Sequence, residues 1–215
     1  MPVSKLLSSF LKELKELILP SQCLVCNVYS QGYLCPSCQQ IYKEMISPMY
    51  EYNLKVHSLF QYQGKVREIL HRFKYDKFRE AGLVLGSIMG GYYQDVLQEK
   101  YDLLVPVPLH KDELKERGFN QSEILARGFI SVFPQNLSLP TLVKVKKTRR
   151  QVNLNLTERR ENLKNAFSVP YSLKGNTVLI IDDVFTTGET FKACKSALLK
   201  AGAREIQGIT FCRQI

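Results

Sequence analysis

Two rhythms of apolar positions divide this chain. Residues 177–181, Thr-Val-Leu-Ile-Ile, run without a polar break. Such a run suits a strand covered on both faces, as in a parallel sheet. Residues 56–62, 103–107, 141–145 and 206–212 read as further strands. Between them the apolar spacing changes to three and four, the helical rhythm. Val66, Ile69, Leu70 and Phe73 share one helix face. Residues 81–97 form a longer apolar helix, in which Gly82, Gly86, Gly90 and Gly91 permit close packing. Phe191, Cys194, Leu198 and Leu199 mark the face of a last helix. Near the start, Leu7, Leu11, Leu14 and Ile18, with Phe10 and Leu17 beside them, predict an amphipathic helix over residues 4–18 that stops before Pro20. Its mixed charges suit packing on the core or on a partner better than a membrane surface. Strands alternating with helices predict an α/β fold, a mostly parallel sheet with helices on both faces.

At 215 residues the chain supports one ordinary domain and a small appendage. The predicted division is an N-terminal helix over residues 1–20, a four-cysteine module over 21–46 and the main domain over 50–215. No apolar run approaches the roughly 20 residues needed to span a bilayer. The apolar start at residues 6–11 meets Lys12 at once, too short and too charged for a signal peptide. A cytoplasmic protein is expected, and with it reduced cysteines.

Four of the six cysteines form two pairs, Cys23-x-x-Cys26 and Cys35-x-x-Cys38. Four thiolates so spaced suit tetrahedral Zn²⁺ with no vacant position, a structural site. A segment this short has too little core to fold without the metal. Cys194 and Cys212 fall on an apolar helix face and in the last strand, and are expected in the core.

The chemistry gathers after residues 177–181. Asp182 and Asp183 end the apolar run. Val184 and Phe185 follow, then Thr186, Thr187, Gly188, Glu189 and Thr190, which lead into the last helix. A strand, a Gly turn and a helix aim backbone N–H groups at one spot by the helix N-terminus, a place for phosphate. Two carboxylates would repel that phosphate. They suit the hydroxyls of an attached sugar, or Mg²⁺ carried with it. The pattern asks for a ribose bearing a 5′-phosphate. It resembles the binding loop for 5-phosphoribosyl diphosphate (PRPP) in type I phosphoribosyltransferases. A second loop, after Pro108, holds His110, Arg117 and Gly118, with the amides of Asn120 and Gln121, and can take another anion. In phosphoribosyltransferases the equivalent loop holds pyrophosphate.

The formal charge of +10 changes the picture once more, because the excess is clustered. One cluster is Arg67, His71, Arg72, Lys74, Lys77 and Arg79, interleaved with Phe73, Tyr75 and Phe78. The other is Lys144, Lys146, Lys147, Arg149 and Arg150, opening a loop over residues 146–155 before a helix capped at Thr157. Cations with aromatics suit single-stranded nucleic acid, whose bases stack while its phosphates pair; a solvated helix face is the plainer alternative. The cations expected on DNA are Arg67, Arg72, Lys74, Lys146, Lys147, Arg149 and Arg150.

Taken in order, the motifs resemble one narrower group. The four-cysteine knuckle precedes Val105-Pro-Val-Pro-Leu-His110, then Arg117-Gly-Phe-Asn-Gln121. Next come Arg150-Gln151, Leu154, Glu158-Arg159, Asn162 and Ala166-Phe167, and then the Asp182 to Gly188 run. This series is similar to the ComF/ComFC competence family. Asn165 stands where that family commonly has Gly, and Glu189 where a small residue is common. The resemblance implies a type I phosphoribosyltransferase fold and a part in natural transformation. There the protein would handle incoming single-stranded DNA at the inner face of the membrane, with a ComFA-like helicase as partner and PRPP as ligand. Two readings stay beside it. One is an active phosphoribosyltransferase of nucleotide metabolism with an open acceptor, using Asp182 and Asp183 in catalysis. The other is a zinc-dependent adaptor.

Overall fold

A computed structural model of the chain describes residues 21–23, 25–75, 79–134, 142–148 and 156–214. The helix expected over residues 4–18 lies outside them. The chain divides into two compact units, meeting between Ile46 and Ser47.

In the first unit β1 (Ser21–Gln22) pairs antiparallel with β2 (Tyr29–Ser30), and α1 (Pro36–Glu44) follows. Pro36 starts α1, where its missing N–H would be unpaired anyway. Among the described residues the buried apolar side chains here are Leu34 and Tyr42, together with Cys23, Cys35 and Cys38.

The second unit is built on a five-stranded sheet in the order β3 (Met49–Glu51), β4 (Val56–Gln61), β9 (Glu205–Arg213), β8 (Thr177–Phe185), β5 (Leu103–Pro106). Only the β3–β4 pairing is antiparallel. Helix α2 (Gly64–Tyr75), α3 (Arg79–Tyr92, continued by a π-helical turn, Tyr93–Leu97) and α5 (Gln121–Val132) form one layer. α7 (Glu189–Lys200) packs with α6 (Leu156–Leu163) and with β7 (Phe167–Ser168) in another. Covered on both sides, Val178, Leu179, Ile180 and Ile181 are essentially inaccessible. Each such side chain contributes roughly 1.5–3 kcal/mol of transfer free energy.

The α3–α5 contact depends on glycine. A Cβ on Gly86 would overlap the carbonyl oxygen of Leu125, and one on Gly128 that of Leu83. Gly91, expected in the same role, has open space around it.

Several elements differ from the expectation. β8 does not end before the acids: it pairs with β9 as far as Phe185, so Asp182 and Asp183 are strand residues. Of the strand expected at 141–145, the described residues form only β6 (Val143–Lys144). It pairs with β7 in a separate two-stranded sheet. Residues 111–117 are not open loop but a short helix, α4 (Lys111–Arg117). It starts at a capping box in which Asp112 N–H donates to His110 Nδ1 and His110 N–H donates to Glu113. α6 begins at Leu156, one residue before the expected cap at Thr157. On α7, Phe191, Cys194 and Leu198 are buried as expected. Leu199 is exposed, because Leu198 already fills the core position and one residue turns the helix by about 100°.

Candidate functional site

The carboxyl ends of β5 and β8 open onto the starts of α5 and α7, the usual place for a ligand in an α/β sheet. Asp182 and Asp183 stand there at the end of the buried run. The Ser122 hydroxyl on α5 donates to Asp182 Oδ1 at 2.7 Å, and the Asp183 N–H donates to the same oxygen at 2.9 Å. The carboxylate of Asp183 meets the Lys74 ammonium at 2.7 Å, from the last turn of α2. Burial, and then the charge of Asp183, push the Asp182 carboxyl up to about 7. Burial alone would lower Lys74, but Asp183 and Asp182 outweigh it and hold its proton more tightly than usual.

Beyond Phe185 the chain turns through Thr186 and Thr187 to Gly188, the N-cap of α7. Gly188 has φ +76, and a Cβ there would press on Leu54 and Phe185. Only glycine fits this turn without strain. A glycine cap also brings no side-chain acceptor to the N–H groups of the first turn of α7. The Thr187 hydroxyl is buried with no partner among the described residues. An uncapped helix start beside an unpaired buried hydroxyl is an arrangement suited to an anion. Glu189, first in the helix, turns its carboxylate onto Lys192 at 2.7 Å.

The second predicted loop is partly committed elsewhere. His110 caps α4, and Gly118 ends it at φ +81 with its N–H on Leu114. Asn120 caps α5 through Ser122 N–H and donates to the Val107 carbonyl, which ties this start to β5. Arg117 donates to Gln121 Oε1 at 3.2 Å, and Gln121 Nε2 is buried with no partner among the described residues. Arg117 also lies near enough to Lys74 to oppose its charge.

The first unit holds the other cluster. The four sulfurs of Cys23, Cys26, Cys35 and Cys38 lie within 4.8 Å of one another. Burial opposes ionisation of Cys23. Backbone N–H groups of Cys35, Cys26 and Val25 point at its sulfur and bring it down to about 6. Cys38 is pushed far up by burial and by the neighbouring thiols. Four thiolates this close repel one another unless a cation joins them, and the soft tetrahedral donor set fits a metal.

With this geometry described, likeness to known proteins is informative. A phosphoribosyl transferase domain model matches residues 83–215. The chain is 30% identical over 165 residues to the DNA utilization protein YhgH of Salmonella typhi, covering 74% of this chain and 71% of that one. It is 30% identical over 162 residues to the competence protein ComFC of Bacillus subtilis, covering 73% and 63%. Over 110 residues it is 38% identical to competence protein F of Haemophilus influenzae, covering 49% and 48%. The chain belongs to the ComF family.

Its main unit has the type I phosphoribosyltransferase fold, with four clustered cysteines ahead of it. The two departures from the ComF pattern have local explanations. Asn165 has φ +54, a left-handed conformation that asparagine tolerates best after glycine. The carboxylate of Glu189 is paired with Lys192.

The described cations predicted on DNA lie on α2 and just after β6. Arg67 is exposed and Arg72 half-buried on α2, where with Gly64, Glu68 and His71 they border a shallow cavity of about 440 Å³. Lys74 leaves that group for the acid pair. Lys147 pairs with Asp112, and Lys146 donates to the Glu161 carbonyl. Arg149 and Arg150 lie outside the described residues. Sequence reasoning missed Ser122 and the inward turn of Lys74. Ser122 left a faint signal, a hydroxyl two residues after a capping Asn at a helix start. Lys74 left none, since its spacing reads equally well as an outward position. No described helix is long and apolar enough to cross a membrane.

Proposed function

We propose that this protein handles single-stranded DNA in natural transformation, and that its crevice binds PRPP or a related sugar phosphate. One observation carries the second part: a pair of strand-borne acids lies next to an uncapped helix start with an unpaired hydroxyl, Thr187. The names of the relatives, DNA utilization and competence proteins, support the first.

Each group has a task in this reading. Asp182 and Asp183 accept hydrogen bonds from the ribose hydroxyls. The loop of Thr186, Thr187, Gly188, Glu189 and Thr190 receives the 5′-phosphate on backbone N–H groups and hydroxyls. Arg117, beside His110 and Gly118, faces the pyrophosphate. The carboxylate oxygens are hard donors that fit Mg²⁺, which would neutralise pyrophosphate charge when present. The cysteine cluster takes Zn²⁺ as a structural ion. Arg67, Arg72, Lys146, Lys147, Arg149 and Arg150 meet DNA phosphates, and a ComFA-like helicase hands the strand on.

The two parts are tested separately. Calorimetric titration with PRPP and Mg²⁺ should give saturable heat that Asp182→Ala with Asp183→Ala abolishes; silence from the unaltered protein removes the sugar-phosphate site. Gel-shift titration with single strands should show binding that weakens with salt, log affinity falling by about 0.7 per phosphate contact for each decade of salt. No shift at low salt removes the DNA role.

A further inference from the structure

The acid pair already has a cation. The Lys74 ammonium lies 2.7 Å from Asp183, its side chain three-quarters withdrawn from solvent and that of Asp183 more so. It arrives from another element, the last turn of α2. Asp182 meanwhile takes the Ser122 hydroxyl and the Asp183 N–H. Both acids thus have a partner while keeping acceptor capacity, since a carboxylate offers about four lone-pair positions.

The charge balance matters for the ligand. An acid pair alone would present two negative charges to a polyanion, and such a site needs a cation before the ligand can approach. Lys74 supplies one, and Arg117 adds a second positive charge near it. In a partly dry crevice these charges are weakly screened, so their effect on an incoming phosphate is larger than on an open surface. The lysine also holds Asp183 in one place, so that its free oxygen is positioned for a hydroxyl.

We infer that Lys74 does in this crevice the work of a divalent ion: it neutralises the acid pair, so that a phosphorylated ribose binds without added metal. The inference rests on the sugar-phosphate reading of the site. A merely structural tie between α2 and β8 would give a different pattern. Losing such a tie would weaken the fold and lower binding equally with and without metal.

The test is calorimetric titration of the full chain with PRPP, once in EDTA and once in excess Mg²⁺. For the unaltered protein the two affinities should agree within about threefold. Lys74→Met, similar in length but uncharged, should lose roughly tenfold to a hundredfold in EDTA, the worth of a charge-assisted contact. It should recover most of that loss in Mg²⁺, whereas Lys74→Arg should bind in EDTA like the unaltered protein. Binding of the unaltered protein only in Mg²⁺ overturns the inference and leaves the sugar-phosphate site standing. Binding in neither solution overturns both. A thermal melt of each variant separates misfolding from a binding effect. If Lys74→Met does not fold, the unaltered protein in EDTA still decides.

Discussion

The two units reach stability by opposite means. Among its described residues the first offers Leu34, Tyr42 and three buried cysteines as its inside, on two short strands and one helix. The second covers a five-stranded sheet on both faces and buries Phe60, Phe73, Phe129 and Phe211 completely. Apolar burial scales with size, so a segment of a few dozen residues rarely closes on its core alone. A metal joining its four sulfurs would supply the stability that so small a described core lacks. The second can afford unfavourable groups, a pair of adjacent acids and a positive-φ turn, at the place where ligand chemistry would occur.

The largest expected effect falls on the smaller unit. Cys38→Ser, or prolonged chelation, should abolish the structure of residues 21–46 while the main thermal transition of the other unit stays within a few degrees. Hydrogen exchange mapped along the chain reads both at once; equal protection of residues 21–46 with and without metal would show that the small core suffices.

Next comes the glycine seam. Gly86→Ala must push α3 off the Leu125 carbonyl. Overpacking of this kind costs about 1–3 kcal/mol and sometimes more. Denaturant unfolding should show the full loss in the larger unit and none in the metal content.

A smaller loss is expected at the phosphate turn. Gly188→Ala puts a side chain at φ +76 against Leu54 and Phe185, for about 1–2 kcal/mol. PRPP affinity should fall further than stability does, because the turn shapes the anion site. A variant that melts early yet binds normally would separate the turn from the ligand.

The smallest effect has the opposite sign. The Asp182 carboxyl titrates near 7 in the fold, above its ordinary range. A raised acid binds more protons folded than unfolded, so its ionisation erodes stability as pH rises from about 4 to about 7. Asp182→Asn keeps an oxygen for Ser122 and removes that cost. Its Tm should exceed that of the unaltered protein by roughly 2–4 °C at pH 8, with the gap closing toward pH 4. PRPP binding should weaken in the same variant, the sign of a group kept for function against stability.

Much of this was legible along the chain because it is local. Cysteine spacing, the unbroken run at 177–181, the acid pair and the Thr-Thr-Gly turn lie within a few residues of what they act with. Periodicity likewise placed Phe191, Cys194 and Leu198 on one buried face. Where β8 stops was not legible, since pairing with β9, not composition, carries it to Phe185. The helix at 111–117 was obscured by a His cap, an uncommon choice beside Ser or Asp.

Residue order alone settled which chemistry is present: four thiols, two adjacent acids, and a glycine turn before a helix. Assembly of the sheet decided which groups meet. Ser122 reaches Asp182 from 60 positions earlier in the chain, and Lys74 turns from a basic helix to Asp183. Such contacts depend on strand order and on the angle at which each helix crosses the sheet. Those follow from packing summed over the whole unit, which no short window of residues contains.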